Sequence, residues 1–133
     1  MVCALAPTHA RARRGPISID ELARVRLAVN LWGEGSNEFL EALRVARAPE
    51  ENVGLLSDAR TAALLALDHG YVAVVTESSV QRDVRRGDLM TRNIRSHDWT
   101  VPLACTYRTR DAADPVITCV ARAVRATTRL RRT

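Results

Sequence analysis

Three histidines, three cysteines and a scatter of carboxylates are the residues of this chain best suited to chemistry, and their spacing argues against catalysis. His9, His69 and His97 each stand alone, with no second ligand at helical or turn spacing. His69 sits just before Gly70, at the expected end of a helix, where an imidazole suits the negative pole of the helix dipole and serves structure. His9 and His97 fall in expected loops. Cys3, Cys105 and Cys119 are odd in number and widely spaced among apolar neighbours, which fits neither a disulfide framework nor a zinc site. Glu50 and Glu51 beside Asn52 read as a polar loop, and Gly33 and Gly35 lack the rest of any phosphate-binding signature. No nucleophile has a recognisable base. The expectation is a protein that is not an enzyme, with no catalytic residues, no metal ligands and no cofactor.

Binding is better served. In open α/β sheets ligands gather beyond the C-terminal ends of the strands, where helix N-termini present backbone N–H groups and a positive dipole end. Two junctions have that form: residues 31–37, Leu-Trp-Gly-Glu-Gly-Ser-Asn, and residues 56–61, Leu-Ser-Asp-Ala-Arg-Thr. They offer Trp32, Gly35, Ser36, Asn37, Ser57, Arg60 and Thr61 as ligand-binding residues: hydroxyls, an amide, a cation and an aromatic ring. A plainer alternative stands beside this one, in which Ser36 and Asp58 only cap their helices, at a gain of roughly 1 kcal/mol each. Asp58 also opposes an anion at its own helix.

The elements that must position these residues alternate between strand and helix. Residues 2–6 form a strand candidate, and Ser18 with Glu21 makes a capping box for a short helix ending near Arg24. Residues 26–31 are strand-like. Ser36 is the expected N-cap of a helix through Ala48, with Phe39, Leu40, Leu43 and Ala46 on its apolar face, and Pro49 stops it. A strand at 53–56 precedes a helix capped by Asp58, which runs through Leu64, Leu65 and Leu67 and closes at Gly70. Residues 71–75 are five apolar residues in a row, the mark of a strand buried on both faces of a parallel sheet. A helix from Ser78 or Ser79 to Gly87 buries Val80 and Val84. A loop containing Trp99, a strand at 101–107 with Pro102 at its edge or start, and a Pro115-initiated helix striped by Val116, Ile117, Val120, Ala121 and Val124 complete the order. The fold class is α/β with a mostly parallel sheet.

Composition bounds the partners. The chain has 133 residues and 47% apolar content, enough for one core. Its net charge of +5 suggests nucleic acid until the charge is located. All 20 basic residues are arginines, and up to Ala121 arginines and acids balance at fifteen each. The excess lies in Arg122, Arg125, Arg129, Arg131 and Arg132, which read as a solvated helix end and frayed tail or, alternatively, a phosphate- or partner-binding arm. With no signal peptide or membrane-spanning run, the expected location is the cytoplasm.

The order of segments resembles the effector-binding domain of LysR-type transcriptional regulators. Val2-Cys3-Ala4-Leu5-Ala6-Pro7-Thr8-His9-Ala10-Arg11-Ala12 is similar to that family's hinge strand and His-Pro-Leu-Ala-like turn. Ile17-Ser18-Ile19-Asp20-Glu21-Leu22-Ala23 is similar to its next helix start. The strand, turn and helix of 26–43, the Leu-rich helix and glycine segment of 64–75, and the basic-Asp turn at 107–111 leading to the Pro-initiated last helix follow in the family's order. The sequence departs from the pattern at Ala10-Arg11, at Val72 in place of a glycine and at Glu77 in place of a proline. A β-branched residue at Val72 cannot take a glycine-only conformation without strain.

The resemblance implies a periplasmic-binding-protein-like (type II) fold, with residues 1–6 as the hinge strand, 7–96 as the second lobe, and 97–133 as the returning strand, C-terminal helix and Arg-rich tail. It also implies that the DNA-binding domain and the first half of the first lobe are absent, so the chain reads as a truncated two-lobe domain. Its expected function is an effector-binding regulatory fragment that recognises a small, carboxylate-like metabolite, without direct DNA binding. The alternative is a stand-alone interaction or oligomerisation module that pairs with itself or with a separately encoded lobe through an exposed apolar face.

Overall fold

A computed structural model describes residues 1–13, 15–30, 35–47, 53–55, 58–95, 106 and 108–129. The chain divides into two compact units, Met1–Val101 and Pro102–Thr133.

The first unit is built on a five-stranded sheet. Its strands are β1 (Val2–Leu5), β2 (Leu27–Val29), β3 (Val53–Leu55), β4 (Val72–Val75) and β5 (Met90–Arg92), in the spatial order β3-β2-β4-β1-β5. β2 pairs in parallel with β3 and β4, while β1 pairs antiparallel with β4 and β5. Four strands therefore share one direction and β1 alone opposes them; β2, β3 and β4 form a parallel half and β1 joins β5 to it through two antiparallel pairings. β1, β2 and β4 are buried on both faces, which is why they read as unbroken apolar runs.

Alternate residues of these strands feed two cores. Cys3, Leu5, Leu27, Val29, Val72 and Val74 pack with Ile17, Leu22, Phe39 and Leu43, on the side of α1 (Ile19–Leu22) and α2 (Ser36–Ala46). Val2, Ala4, Ala28, Ala73 and Val75 pack with Ala62, Ala63, Ala66 and Val80, on the side of α3 (Ala59–Asp68) and α4 (Glu77–Arg86). The result is a helix–sheet–helix sandwich.

Several details depart from the sequence expectation. The N-cap of α2 is Gly35 at φ +87°, not Ser36, which is the first helical residue. α2 ends at Ala46, and Ala46 is exposed while Phe39 and Leu43 are buried. α3 meets the sheet through its alanines, leaving Leu64 41% exposed. Small side chains on both surfaces, Ala28 and Ala73 against Ala62, Ala63 and Ala66, favour close packing there, so size and not hydrophobicity selected the buried face. α4 starts at Glu77 with Thr76 as N-cap, before the serines expected to begin it. β5 was not expected; its sequence Met-Thr-Arg has no apolar run. Val72 lies in regular strand and the positive φ falls on Gly70, at +66°, so the departure at Val72 carries no strain. Apart from Thr106, the strand expected at 101–107 lies outside the described residues, as do Trp99 and His97.

In the second unit, a 3-10 turn (Thr109–Asp111) leads to α5 (Pro115–Arg129). Pro115 opens α5 as expected, and the Val116 amide donates to Asp114 Oδ1 at 2.7 Å. Of the α5 stripe, Val116 and Val120 are exposed, and Ile117, Ala121 and Val124 are half-buried.

Candidate functional site at the C-terminal rim of the parallel strands

The crossovers locate the site. α2, which follows β2, packs on one face of the sheet, whereas α3 and α4, which follow β3 and β4, pack on the other. β2 thus lies between two neighbours whose helices depart to the opposite face. A crevice forms at such a reversal, beyond the strand's C-terminal end. The rim there carries Asn30, buried at 3% exposure with its amide donating to the Val74 carbonyl at 2.9 Å, and Gly35, Ser36 and Asn37 at the start of α2. From the neighbouring β4 it carries Thr76, whose carbonyl accepts from Ser79 Oγ at 2.6 Å.

Of the seven residues expected to bind a ligand, Trp32 and Ser57 lie outside the described residues. Gly35, Ser36 and Asn37 share the first turn of α2; Arg60 and Thr61 share that of α3. Both turns follow the C-terminal ends of the adjacent parallel strands β2 and β3, at the same edge of the sheet.

The two helix starts differ in chemistry. At α3 the donors are already engaged: Asp58 Oδ1 accepts the Arg60 amide at 3.0 Å, and Oδ2 accepts the Thr61 amide at 2.9 Å and the Thr61 hydroxyl at 2.8 Å. Those bonds, the Thr61 hydroxyl first, hold the Asp58 carboxyl below its ordinary pKa, so it is charged at neutral pH. Arg60 Nη1 donates to Asp83 Oδ2 at 2.8 Å, a pair in which Asp83 is buried and the Arg60 side chain is 54% exposed. One cation is thus faced by two carboxylates, and the α3 start carries net negative charge. At α2 the N-cap is a glycine with no side-chain capping bond, so no carboxylate occupies its first amides, although Glu38 stands in the first turn. The dipole of α2 is the better seat for an anion.

Sequence reasoning missed Asn30, Thr76 and Asp83. A single Asn at a strand end is a weak signal by itself; the strand order makes it informative. Asp83 is reachable only through the packing of α3 on α4, 23 residues from its partner.

Among the described residues no group of three or more His, Cys, Asp or Glu could hold a metal ion, and no helix is long and apolar enough to cross a membrane. The first unit is thus an α/β lobe of the periplasmic-binding-protein-like kind, with a polar rim at its topological reversal. The chain matches the LysR substrate binding domain over residues 1–129 and belongs to that family. Among solved structures it is similar to a probable transcriptional regulator from Pseudomonas aeruginosa, at 20% identity and a TM-score of 0.52, covering 76% of this chain and 33% of the regulator. The chain therefore spans about a third of that regulator's length. No curated protein matches it.

Proposed function

We propose that this chain is the effector-binding part of a LysR-type regulator, acting in the cytoplasm, that binds a small carboxylate at the C-terminal end of β2 and catalyses nothing. Family membership supports the regulatory module, and one observation carries the choice of ligand: the glycine-capped start of α2 faces the rim while the α3 start is closed by Asp58. The carboxylate accepts from the Ser36 and Asn37 end of α2. Asn30, Thr76 and the outer edge of Arg60 meet the remainder of the ligand, with Trp32, Ser57 and Thr61 around it. In the family's two-lobe arrangement the opposing wall comes from another lobe, on this or another chain. No direct DNA contact is assigned to these residues.

Thermal melting with benzoate and succinate tests this reading. A carboxylate at a hundred times its Kd adds about 2.7 kcal/mol to the folded state, so the melting temperature rises with concentration. Asn37→Asp places a negative charge in the first turn of α2, which leaves the fold stable but repels the ligand. The reading requires a rise in the wild type and a much smaller one in Asn37→Asp. Equal rises in both, or none in the wild type, contradict it.

A second reading rests on α5. The exposed Val116 and Val120, and a cleft of about 530 Å³ lined by Ile117, Ala121, Arg122 and Arg125, fit an interaction or oligomerisation module. Light scattering decides: a monomer at high concentration removes the self-association form of it.

A further inference from the structure

β5 is the outermost strand of the sheet beyond β1, and its outer edge is only half closed. Past Arg92 the chain runs beside residues 15–17: the Ile17 amide donates to the Asn93 carbonyl at 2.8 Å, and the Arg95 amide donates to the Ile17 carbonyl at 2.7 Å. Main-chain groups of successive strand residues face opposite edges. Those of Thr91 therefore point outward with those of Asn93 and Arg95, while Met90 and Arg92 turn to Leu5 and Cys3 of β1. Among the described residues, no strand pairs with Thr91 on that outer side. A cleft of about 260 Å³ opens there, lined by residues 90–93 and by Gly15 and Pro16 of the neighbouring segment.

The cleft is cationic. Arg92, one of its lining residues, is buried, and its three donations to the carbonyls of Gly15, Arg11 and Pro16 hold the guanidinium in place without neutralising it. Among the described residues no carboxylate lies within ion-pair distance of it, and Glu21 feels its charge only from farther away. Arg13 and Arg95, each two residues from the lining, are exposed. A buried charge without a counter-ion is costly, and unpaired main-chain groups on a sheet edge are a template for another strand.

We infer that this edge receives an extended acidic segment of a partner protein, which adds a strand outside β5. The segment's backbone pairs with Thr91 and the Asn93 amide, and one of its carboxylates offsets the charge of Arg92. The register is short at both ends: Ile17 occupies the edge beyond Asn93, and the Leu89 amide is already given to the Asp83 carbonyl. Main-chain bonds are therefore few, and charge supplies much of the affinity.

Amide chemical shifts of the nitrogen-15-labelled full chain, followed during titration with acetyl-Glu-Val-Glu-Val-Glu-amide, test the inference. Two N-methylated forms of that peptide are compared, one blocked at its glutamates and the other at its valines, because only one alternate set of amides can face β5. The expected results are saturable shifts at Thr91, Asn93 and Gly15, with one methylated form binding roughly tenfold more weakly than the other. A glutamine-for-glutamate peptide also binds more weakly. Thr91→Pro, which loses the outward N–H and leaves the pairing with β1, loses the binding; the methylated pair needs no variant to fold. Methylated forms that bind alike, a glutamine peptide as tight as its parent, shifts centred on Ser36 and Asn37, or shifts that do not saturate overturn it.

Discussion

Arg92 carries its charge into the protein at the end of β5, with only 7% of its surface exposed, and there donates to three carbonyls: Gly15 at 2.7 Å, Arg11 at 2.7 Å and Pro16 at 3.1 Å. The guanidinium fork suits this task because its donors diverge in one plane. Arg92→Leu strands three carbonyls and costs about 3–5 kcal/mol, seen as a lower urea midpoint; Arg92→Lys recovers part of that loss. Nothing in the sequence marks this residue, whose partners are backbone atoms 76 to 81 positions away. The Ser18–Glu21 capping box, by contrast, is local and was fully legible: Glu21 donates its amide to Ser18 Oγ at 3.2 Å, and Ser18 donates its amide to Glu21 Oε2 at 3.0 Å. The Ser18 backbone bond is the main reason the Glu21 pKa lies below its ordinary 4.5, as that of Asp58 lies below 3.8. Both carboxyls release protons more readily folded than unfolded. Their contribution is present above those ordinary values and is lost as pH falls through the lower folded ones. A plot of urea midpoint against pH should therefore drop below pH 4.5, less steeply in Glu21→Gln, which removes the titrating carboxyl. Cys3 gives a sharper contrast. Burial pushes its thiol up to about 12, against a smaller opposing effect of Arg92, whereas Cys119 is exposed. Iodoacetamide at about pH 8 should alkylate Cys119 while Cys3 reacts only after unfolding, as read by peptide mass mapping.

Elements were legible where a long apolar run or a paired cap marks them. β4 announced itself by five consecutive apolar residues, and α5 by Asp114-Pro115. β5 did not, because it has three residues, and its Arg92 is buried through hydrogen bonds that hydropathy does not register. α3 buries a face that hydropathy alone does not pick. Its leucines are the more hydrophobic residues, yet Ala62, Ala63 and Ala66 are the ones fully buried against Ala28 and Ala73. A consequence follows for substitution at that face. Ala63→Leu overfills the α3–sheet contact and costs about 1–3 kcal/mol, whereas Leu64→Ala on the exposed side changes the denaturation midpoint by little. The opposite result, Leu64→Ala the more damaging, would mean that α3 packs through the face expected from hydrophobicity.

For the molecule as a whole, the fold class and family resemblance were readable because segment order survives where single motifs drift. Even the replacement of a family glycine by Val72 left the strand regular, since the left-handed backbone is supplied two residues earlier by Gly70. The candidate site was half legible. Its helix starts could be found from capping residues, but which one suits an anion depended on Asp83 reaching Arg60 from α4, a contact set by tertiary packing. Asn30 and Thr76 joined the site only once strand order placed β2 beside β4. At this scale the α5 stripe also makes a claim: if it drives association, Val116→Asp with Val120→Asp should yield a monomer without lowering the melting temperature of the first unit. The central claim concerns the first unit, that a carboxylate is received at the C-terminal end of β2. Amide chemical-shift mapping of the isotope-labelled chain during a benzoate titration tests it most directly. The account predicts saturable shifts concentrated at Asn30, Gly35, Ser36, Asn37 and Thr76, with smaller ones at Arg60 and Thr61. Saturable shifts centred on the α3 start or on α5, or none that saturate, would contradict it.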